Sequence, residues 1–447
     1  MILDEISNLS RYMGGLSWAG ATILPHFAYN DRPAGFALER WWFELFGFNY
    51  RPQLAFLLLL HLGNLVLGFF LFRRLGASIL ASFAALCVFG TLSTTAQTVT
   101  FLGAVFDVLC LFLLLASVLA FVSRKRGSAA LSAILFFLAL RTKEFAIVLP
   151  VLLLAIAYCE QIPSPARRGT YVLRRLWIHL AIWAVFLGQY AWLIRGMVAT
   201  LPAGNPYTIR ANFATVLDSF SYYTALIFHV EGHPRKSYLI LALVFTMAGY
   251  ALYRRRGWIM WAFAAFLLTL LPVSIIPGNR AEFYVYAPAL FLLLAAALTV
   301  EDMMGRLIPN ERTRWCATVA AVVVVLISVA HFQRGPYFLN RVAYRVGVRK
   351  VAAVTAADGT TLLPSLVPDS WLFVYQGANI SWLLFPGPCD FFNLPQHRQS
   401  FHCVLSGSID EVNRLYQAHE QPKYYMVYGA DGSLRMSGAP GSFAAAR

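Results

Sequence analysis

A short set of charged residues interrupts otherwise apolar sequence: Asp4, Glu5, Asp107, the adjacent Lys143 and Glu144, and Arg280 with Glu282. Charge at membrane depth or at a helix end is expensive, so such residues mark functional sites by default. The set holds two kinds of group. Carboxylates take a proton from an acceptor hydroxyl or amine, or hold a metal. Lys143 and Arg280 neutralise a phosphate that leaves with negative charge. A membrane-embedded enzyme using a lipid-phosphate-linked substrate needs that combination. The competing reading is interhelical ion pairing, Lys143 with Asp107 for example, because structural networks also collect charge.

The elements that must position these residues are hydrophobic. Of 447 residues, 59% are hydrophobic and only 13% charged, with a mean hydropathy of +0.62. A soluble domain carries about 25% charged residues, so this chain lacks the polar surface to cover a globule. Its apolar residues fall in long runs separated by short basic loops, as bilayer thickness demands. The fold class expected is an α-helical polytopic membrane protein. The net charge of +15 fits basic loops against anionic lipid. No aromatic-basic motif for base stacking stands out, so nucleic acid is not an expected partner. The stretch from Met1 to Tyr12 is polar and does not read as a secretory signal peptide.

Spanning runs are expected from Gln53 to Phe72, Ser78 to Thr95, Phe101 to Val122 and Arg175 to Ile194. Later ones run from Ser237 to Tyr253, Trp258 to Ile275, Tyr284 to Val300 and Thr313 to His331. Between Ser128 and Tyr158, Arg141, Thr142, Lys143 and Glu144 split an apolar stretch. One helix cannot bury four such residues cheaply at mid-bilayer, so two short helices joined by a polar turn are expected, about ten spans in all. Basic loops at Arg73-Arg74, Arg124 to Arg126, and Arg167 to Arg175 follow alternate spans. Placing them inside puts the N-terminus outside, and also the loop Arg195 to Lys236 if the weak run Ala211 to Val230 lies on the surface rather than crossing. In that topology every charged residue of the opening set falls on the external side. Arg334, Arg341, Arg345, Arg349 and Lys350 oppose it, unless they form an amphipathic helix on the headgroups.

Four segments result. Residues 1–52 form a first external loop with an acidic pair and amphipathic helices, and 53–332 the transmembrane domain. Residues 333–350 form a basic amphipathic connector, and 351–447 a small extracytoplasmic α/β domain. In that domain Ser370 to Tyr375 and Ser400 to Leu405 look like strands, and Ser408 with Glu411 opens a helix as a capping box. Tyr424 to Tyr428 and Ser433 to Met436 flank Asp431-Gly432 as a hairpin. Cys389 and Cys403 lie in this polar tail and are expected to form a disulfide if it is extracytoplasmic. Cys87, Cys110, Cys159 and Cys316 read as packing residues. His229 and His233 do not form the His-Glu-x-x-His arrangement of zinc enzymes. His61 and Asn64, at i and i+3, share a helix face that hydrogen-bonds a neighbouring helix. Trp41, Trp42 and Phe43 suit an interfacial aromatic belt.

Several short stretches, taken in order, resemble a GT-C membrane glycosyltransferase. They are Asp31-Arg32-Pro33-Ala34-Gly35, Leu45-Phe46-Gly47, His61-Leu62-Gly63-Asn64 and Arg73-Arg74-Leu75-Gly76. Gly103 to Asp107, Thr142-Lys143-Glu144 with Leu149-Pro150, Leu271 to Ser274, and Arg280 to Tyr284 continue the series. The chain looks most like bacterial relatives of the tetratricopeptide-containing O-mannosyltransferases. It also looks like the protein O-mannosyltransferase and lipid A aminoarabinose transferase group.

The resemblance implies Asp4 as catalytic base, Glu5 as its support and Asp107 as a second acid. Lys143 and Arg280 would hold the donor phosphate, with Glu144, Glu282 and Arg32 supporting. The donor would be a sugar on a polyprenyl phosphate, transferred with inversion to an extracytoplasmic acceptor. One base on the acceptor side suffices for a single displacement. The implied location is the bacterial inner (plasma) membrane. It names no certain cofactor and leaves a divalent metal possible, and neither sugar nor acceptor is specified. The family carries a span ahead of its acidic pair, so one more is expected before Met1. The family's tetratricopeptide repeats have no counterpart. The alternative is a non-catalytic membrane protein, either a lipid-linked-sugar transporter or an inactive relative.

Overall fold

The computed structural model describes residues 32–46, 50–123, 125–159, 168–200, 208–230, 233–308, 310–333, 354, 357–367, 370–376, 402–406, 409–420, 422–428 and 433–437. The chain forms two compact units. Among the described residues, one takes in 32–35 and 56–333, and the other 36–55 and those from 354 onward.

Helices in chain order are α1 (Pro33–Phe46), α2 (Tyr50–Arg74), α3 (Ile79–Thr91), α4 (Ser93–Val99), α5 (Val105–Ser123), α6 (Ser128–Leu140) and α7 (Leu149–Cys159). They continue as α8 (Arg168–Thr200), α9 (Phe213–Ile227), α10 (Pro234–Tyr253), α11 (Gly257–Ser274), α12 (Tyr286–Leu307) and α13 (Glu311–Gln333). Seven of these, α2, α5, α8 and α10 to α13, are long and apolar enough to cross a bilayer. The pair α3–α4, bent by 62°, makes an eighth. With the short apolar helices α6 and α7, the about ten elements expected are present, and the chain is a multi-pass membrane protein. The weak run from Ala211 to Val230 forms α9, buried along Ser219, Phe220, Tyr223 and Thr224 and packed on α10 and α11.

Local chemistry sets the turns. Gly76 takes φ +95°, and the Ala77 amide reaches back to the Phe72 carbonyl at 3.0 Å, the bond that closes a Schellman cap. Ser78 then caps α3 by accepting from the Ala81 amide at 3.1 Å. The run expected as one span from Ser78 to Thr95 is broken instead. Leu92 is extended (ψ 138°), and α4 follows with Ser93, Thr94, Thr95, Gln97 and Thr98 all buried. Pro234 sits in the first turn of α10, where its missing N–H costs nothing.

The bundle core lies where α5 meets α6 and α11 meets α12, the most extensive helix contacts. Leu114, Phe136, Trp261, Phe266 and Phe291 are fully or almost fully buried there. Polar side chains join helices as well. His61 Nδ1 lies 2.7 Å from the Tyr286 hydroxyl, and Asn64 donates to the Val108 carbonyl at 2.9 Å and to Tyr286 at 3.1 Å. These are the neighbouring-helix bonds expected of that face.

The second unit carries a four-stranded sheet of order β2-β1-β3-β4, from β1 (Trp371–Gln376), β2 (His402–Ser406), β3 (Lys423–Tyr428) and β4 (Leu434–Ser437). β1 pairs parallel with both β2 and β3, and β3 with β4 is the expected antiparallel hairpin. The helix α14 (Ile409–Ala418) links β2 to β3, and Phe373, Val412 and Tyr425 form the core. Glu411 accepts from Ser406 at 2.6 Å; Ser408, its expected capping partner, lies outside the described residues. Cys403 is disulfide-bonded, and Cys389, its expected partner, also lies outside them, as does the connector 334–350.

Candidate active site at one end of the bundle

The polar turn between α6 and α7 organises the site. The amides of Thr142 and Lys143 both turn back to the Ala139 carbonyl at 3.0 Å, ending α6. Lys143 is then extended, and a 3-10 segment over Glu144–Val148 leads into α7. The start of α1 docks on this turn, with the Ala34 amide 3.0 Å from the Arg141 carbonyl. Close approach there requires Gly35, because a Cβ at that position would lie 2.2 Å from the Phe106 ring.

Two ion pairs result. Arg32 forks onto Glu144, Nε donating to Oε1 at 2.9 Å and Nη2 to Oε2 at 3.0 Å, while its guanidinium lies 5.5 Å over the Phe106 ring. Burial alone would lower the pKa of Arg32. The carboxylates of Glu144 and Asp107 outweigh it and push it above the ordinary arginine range. Asp107, in the first turn of α5, accepts from Lys143 Nζ at 3.0 Å, with both side chains more than nine-tenths buried. The Lys143 ammonium also sits 5.3 Å from the Phe283 ring and 5.4 Å from that of Tyr284. Phe101 stacks on Phe283 at 5.6 Å, closing an aromatic wall over the cation.

Arg280 stands on the same segment as this wall. It pairs with Asp218 of α9 and lies 4.6 Å over the Tyr222 ring. Glu282 is buried and opens the 3-10 segment Glu282–Val285 that carries Phe283 and Tyr284.

The structure thus brings together Arg32, Asp107, Lys143 and Glu144, and sets Arg280 and Glu282 on the segment covering them. Lys143 and Arg280, expected to hold a phosphate, each face a carboxylate here; the Lys143–Asp107 pair is the one named above as the structural alternative. Asp4 and Glu5 lie outside the described residues. Among the described residues no group of three His, Cys, Asp or Glu is placed to hold a metal, and Asp107 and Glu144 are each matched by a cation. His229 has left-handed backbone (φ 57°), and its ring nitrogens lie 2.8–2.9 Å from the Ser93 hydroxyl.

Sequence reasoning missed Asp218 and the aromatic wall. It also missed the buried hydroxyls of Thr94, Thr95, Ser219 and Thr224, which have no hydrogen-bond partner among the described residues. The available signal was the polar run Ser93-Thr94-Thr95, then Gln97-Thr98, inside an apolar stretch.

No protein-family model matches the chain, and no curated protein matches it. Among solved structures, it is similar to the crystal structure of ArnT from Cupriavidus metallidurans bound to undecaprenyl phosphate. The identity is 16%, the match covers 96% of this chain and 87% of that one, and the TM-score is 0.46.

Proposed function

We propose that this chain is a membrane glycosyltransferase moving a sugar from a polyprenyl-phosphate donor to an extracytoplasmic acceptor, with inversion. One observation carries the reading: two enclosed acid–cation pairs, Arg32–Glu144 and Lys143–Asp107, converge under aromatic rings at one end of a membrane bundle. The basic turns Arg73-Arg74 and Arg254 to Arg256 gather at the other end, which the positive-inside rule assigns to the cytoplasm.

In this mechanism the donor phosphate takes over the ammonium of Lys143, with Arg280 as the second cation. Asp4 accepts the proton of the acceptor hydroxyl or amine, the acceptor atom bonds to the anomeric carbon, and the carbon–oxygen bond to phosphate breaks. The electron pair leaves on the phosphate, where the cations hold it. Asp107, released from Lys143, and Glu5 support the charge on the acceptor side. Phe283 and Tyr284 give the sugar an apolar face.

The buried Lys143–Asp107 pair also favours a second reading, in which the pair is structural and the protein transports a lipid-linked sugar or is inactive. Mass spectrometry of polyprenyl-phosphate lipids separates the two. In cells lacking the protein one lipid-linked sugar should accumulate, and it should persist on complementation with Asp4→Asn or Lys143→Met, while wild type clears it. A pool unchanged in every strain rejects the transferase. A pool cleared equally by Asp4→Asn points to transport.

A further inference from the structure

At the other end of the same bundle, α3, α12 and α13 enclose a cavity of about 490 Å³, a size that takes a small ligand. Small side chains make the space, among them Ala81, Ala84, Ala296, Ala297 and Ala321. The lining runs from Ser78 to Val88 on α3, from Leu293 to Met304 on α12 and from Glu311 to Val325 on α13. At 1.5 Å per residue these stretches measure about 15–20 Å, near half of the ~30 Å hydrocarbon core. The polar lining residues, Arg73, Ser78, Glu301, Glu311 and Arg314, stand at the end where the basic turns gather, apart from Thr318 one turn further in. The cavity is therefore an apolar slot about one leaflet deep, with its charged mouth at headgroup level.

The mouth carries two acids, Glu301 and Glu311, and two arginines, Arg73 and Arg314, and no ion pair joins them among the described residues. Glu301 is engaged by the Ser78 amide, at 3.0 and 3.2 Å, and so closes the N-terminus of α3. Asp302, beside it, holds Arg256 and Arg306. Glu311 lies in the first turn of α13, where the helix dipole favours an acid. Arg73 donates one N–H to the Ala77 carbonyl at 2.6 Å. Neither Arg73 nor Arg314 pairs with a carboxylate among the described residues. Two arginines outside any ion pair among the described residues, with Glu301 and Glu311 beside them, thus rim a slot of acyl-chain depth. Basic pockets between membrane helices at the cytoplasmic side are the sites that retain anionic lipid headgroups.

We propose that this slot binds an anionic phospholipid from the leaflet at the basic end, one acyl chain between α3 and α13 and the phosphate against Arg73 and Arg314. The site is distinct from the charged cluster and holds whether or not the chain transfers sugar.

Native mass spectrometry of the full chain, purified in mild detergent from membranes rich in phosphatidylethanolamine, tests it. Phosphatidylglycerol or cardiolipin should be retained at several times its bulk share. Arg73→Gln with Arg314→Gln should cut that enrichment several-fold, and Ala84→Leu, which fills the slot and leaves the rim intact, should release the lipid as well. Equal retention of phosphatidylethanolamine, undiminished enrichment in both variants, or a polyprenyl phosphate as the lipid lost would each overturn the proposal. Melting temperatures of the variants measured in delipidated detergent, matching wild type, exclude misfolding as the cause of lipid loss.

Discussion

The two ends of the helical bundle carry similar residue types in opposite arrangements. At one end the charges are enclosed: Lys143 and Asp107 are more than nine-tenths buried, and the Arg32–Glu144 fork is about four-fifths so. At the other end Asp302 anchors Arg256 and Arg306, whose side chains are half exposed. Desolvation separates the two. A buried pair holds each charge only through its partner, so removing one partner is costly. An exposed pair is screened by water and salt and contributes little. A bundle that needed charge only for topology would place it all as the basic end does. The enclosed end bears a cost that its aromatic cover deepens, which is the reason to look for chemistry there.

The largest effect is expected from splitting the buried pair. Lys143→Met strands Asp107 and should destabilise the protein by about 3–5 kcal/mol, read as a lower melting temperature in detergent. Lys143→Met with Asp107→Asn should recover most of that loss and none of the lipid-linked-sugar turnover. Full activity in the double variant would make the pair purely structural.

Gly35→Ala comes next. Its Cβ would press on the Phe106 ring, next to Asp107, at about 1–3 kcal/mol for an overpacked contact. Turnover should fall together with stability, because the start of α1 carries Arg32. Arg256→Gln, at the exposed end, should move the melting temperature least, by no more than about 1 kcal/mol equivalent. An effect matching that of Lys143→Met would erase the contrast between the ends.

Much of this architecture is legible in sequence because bilayer thickness turns hydropathy into length. The split at Arg141 to Glu144 was readable, since four polar residues in a row cannot stay at mid-bilayer, and so was the β3–β4 hairpin from Asp431-Gly432. What resisted reading depends on residues far apart in the chain. Arg32 meets Glu144 across 112 positions, and nothing local to either names the other. Asp218 sits on α9, a run too weakly apolar to count as a span, so its pairing with Arg280 could be seen only once α9 was placed. The α3–α4 break was missed because hydropathy averages over Ser93 to Thr95, whereas the backbone does not. The parallel pairing of β1 with both β2 and β3 likewise rests on a crossover that strand patterns do not encode.

The reach of the Arg32–Glu144 fork also orders events during synthesis. At roughly 5–20 residues per second, Lys143 follows Asp107 from the ribosome within about 2–7 s. Arg32 waits about 6–22 s for Glu144 to emerge. The start of α1 is therefore a latch made early and fastened late, only once the turn that follows α6 has been made.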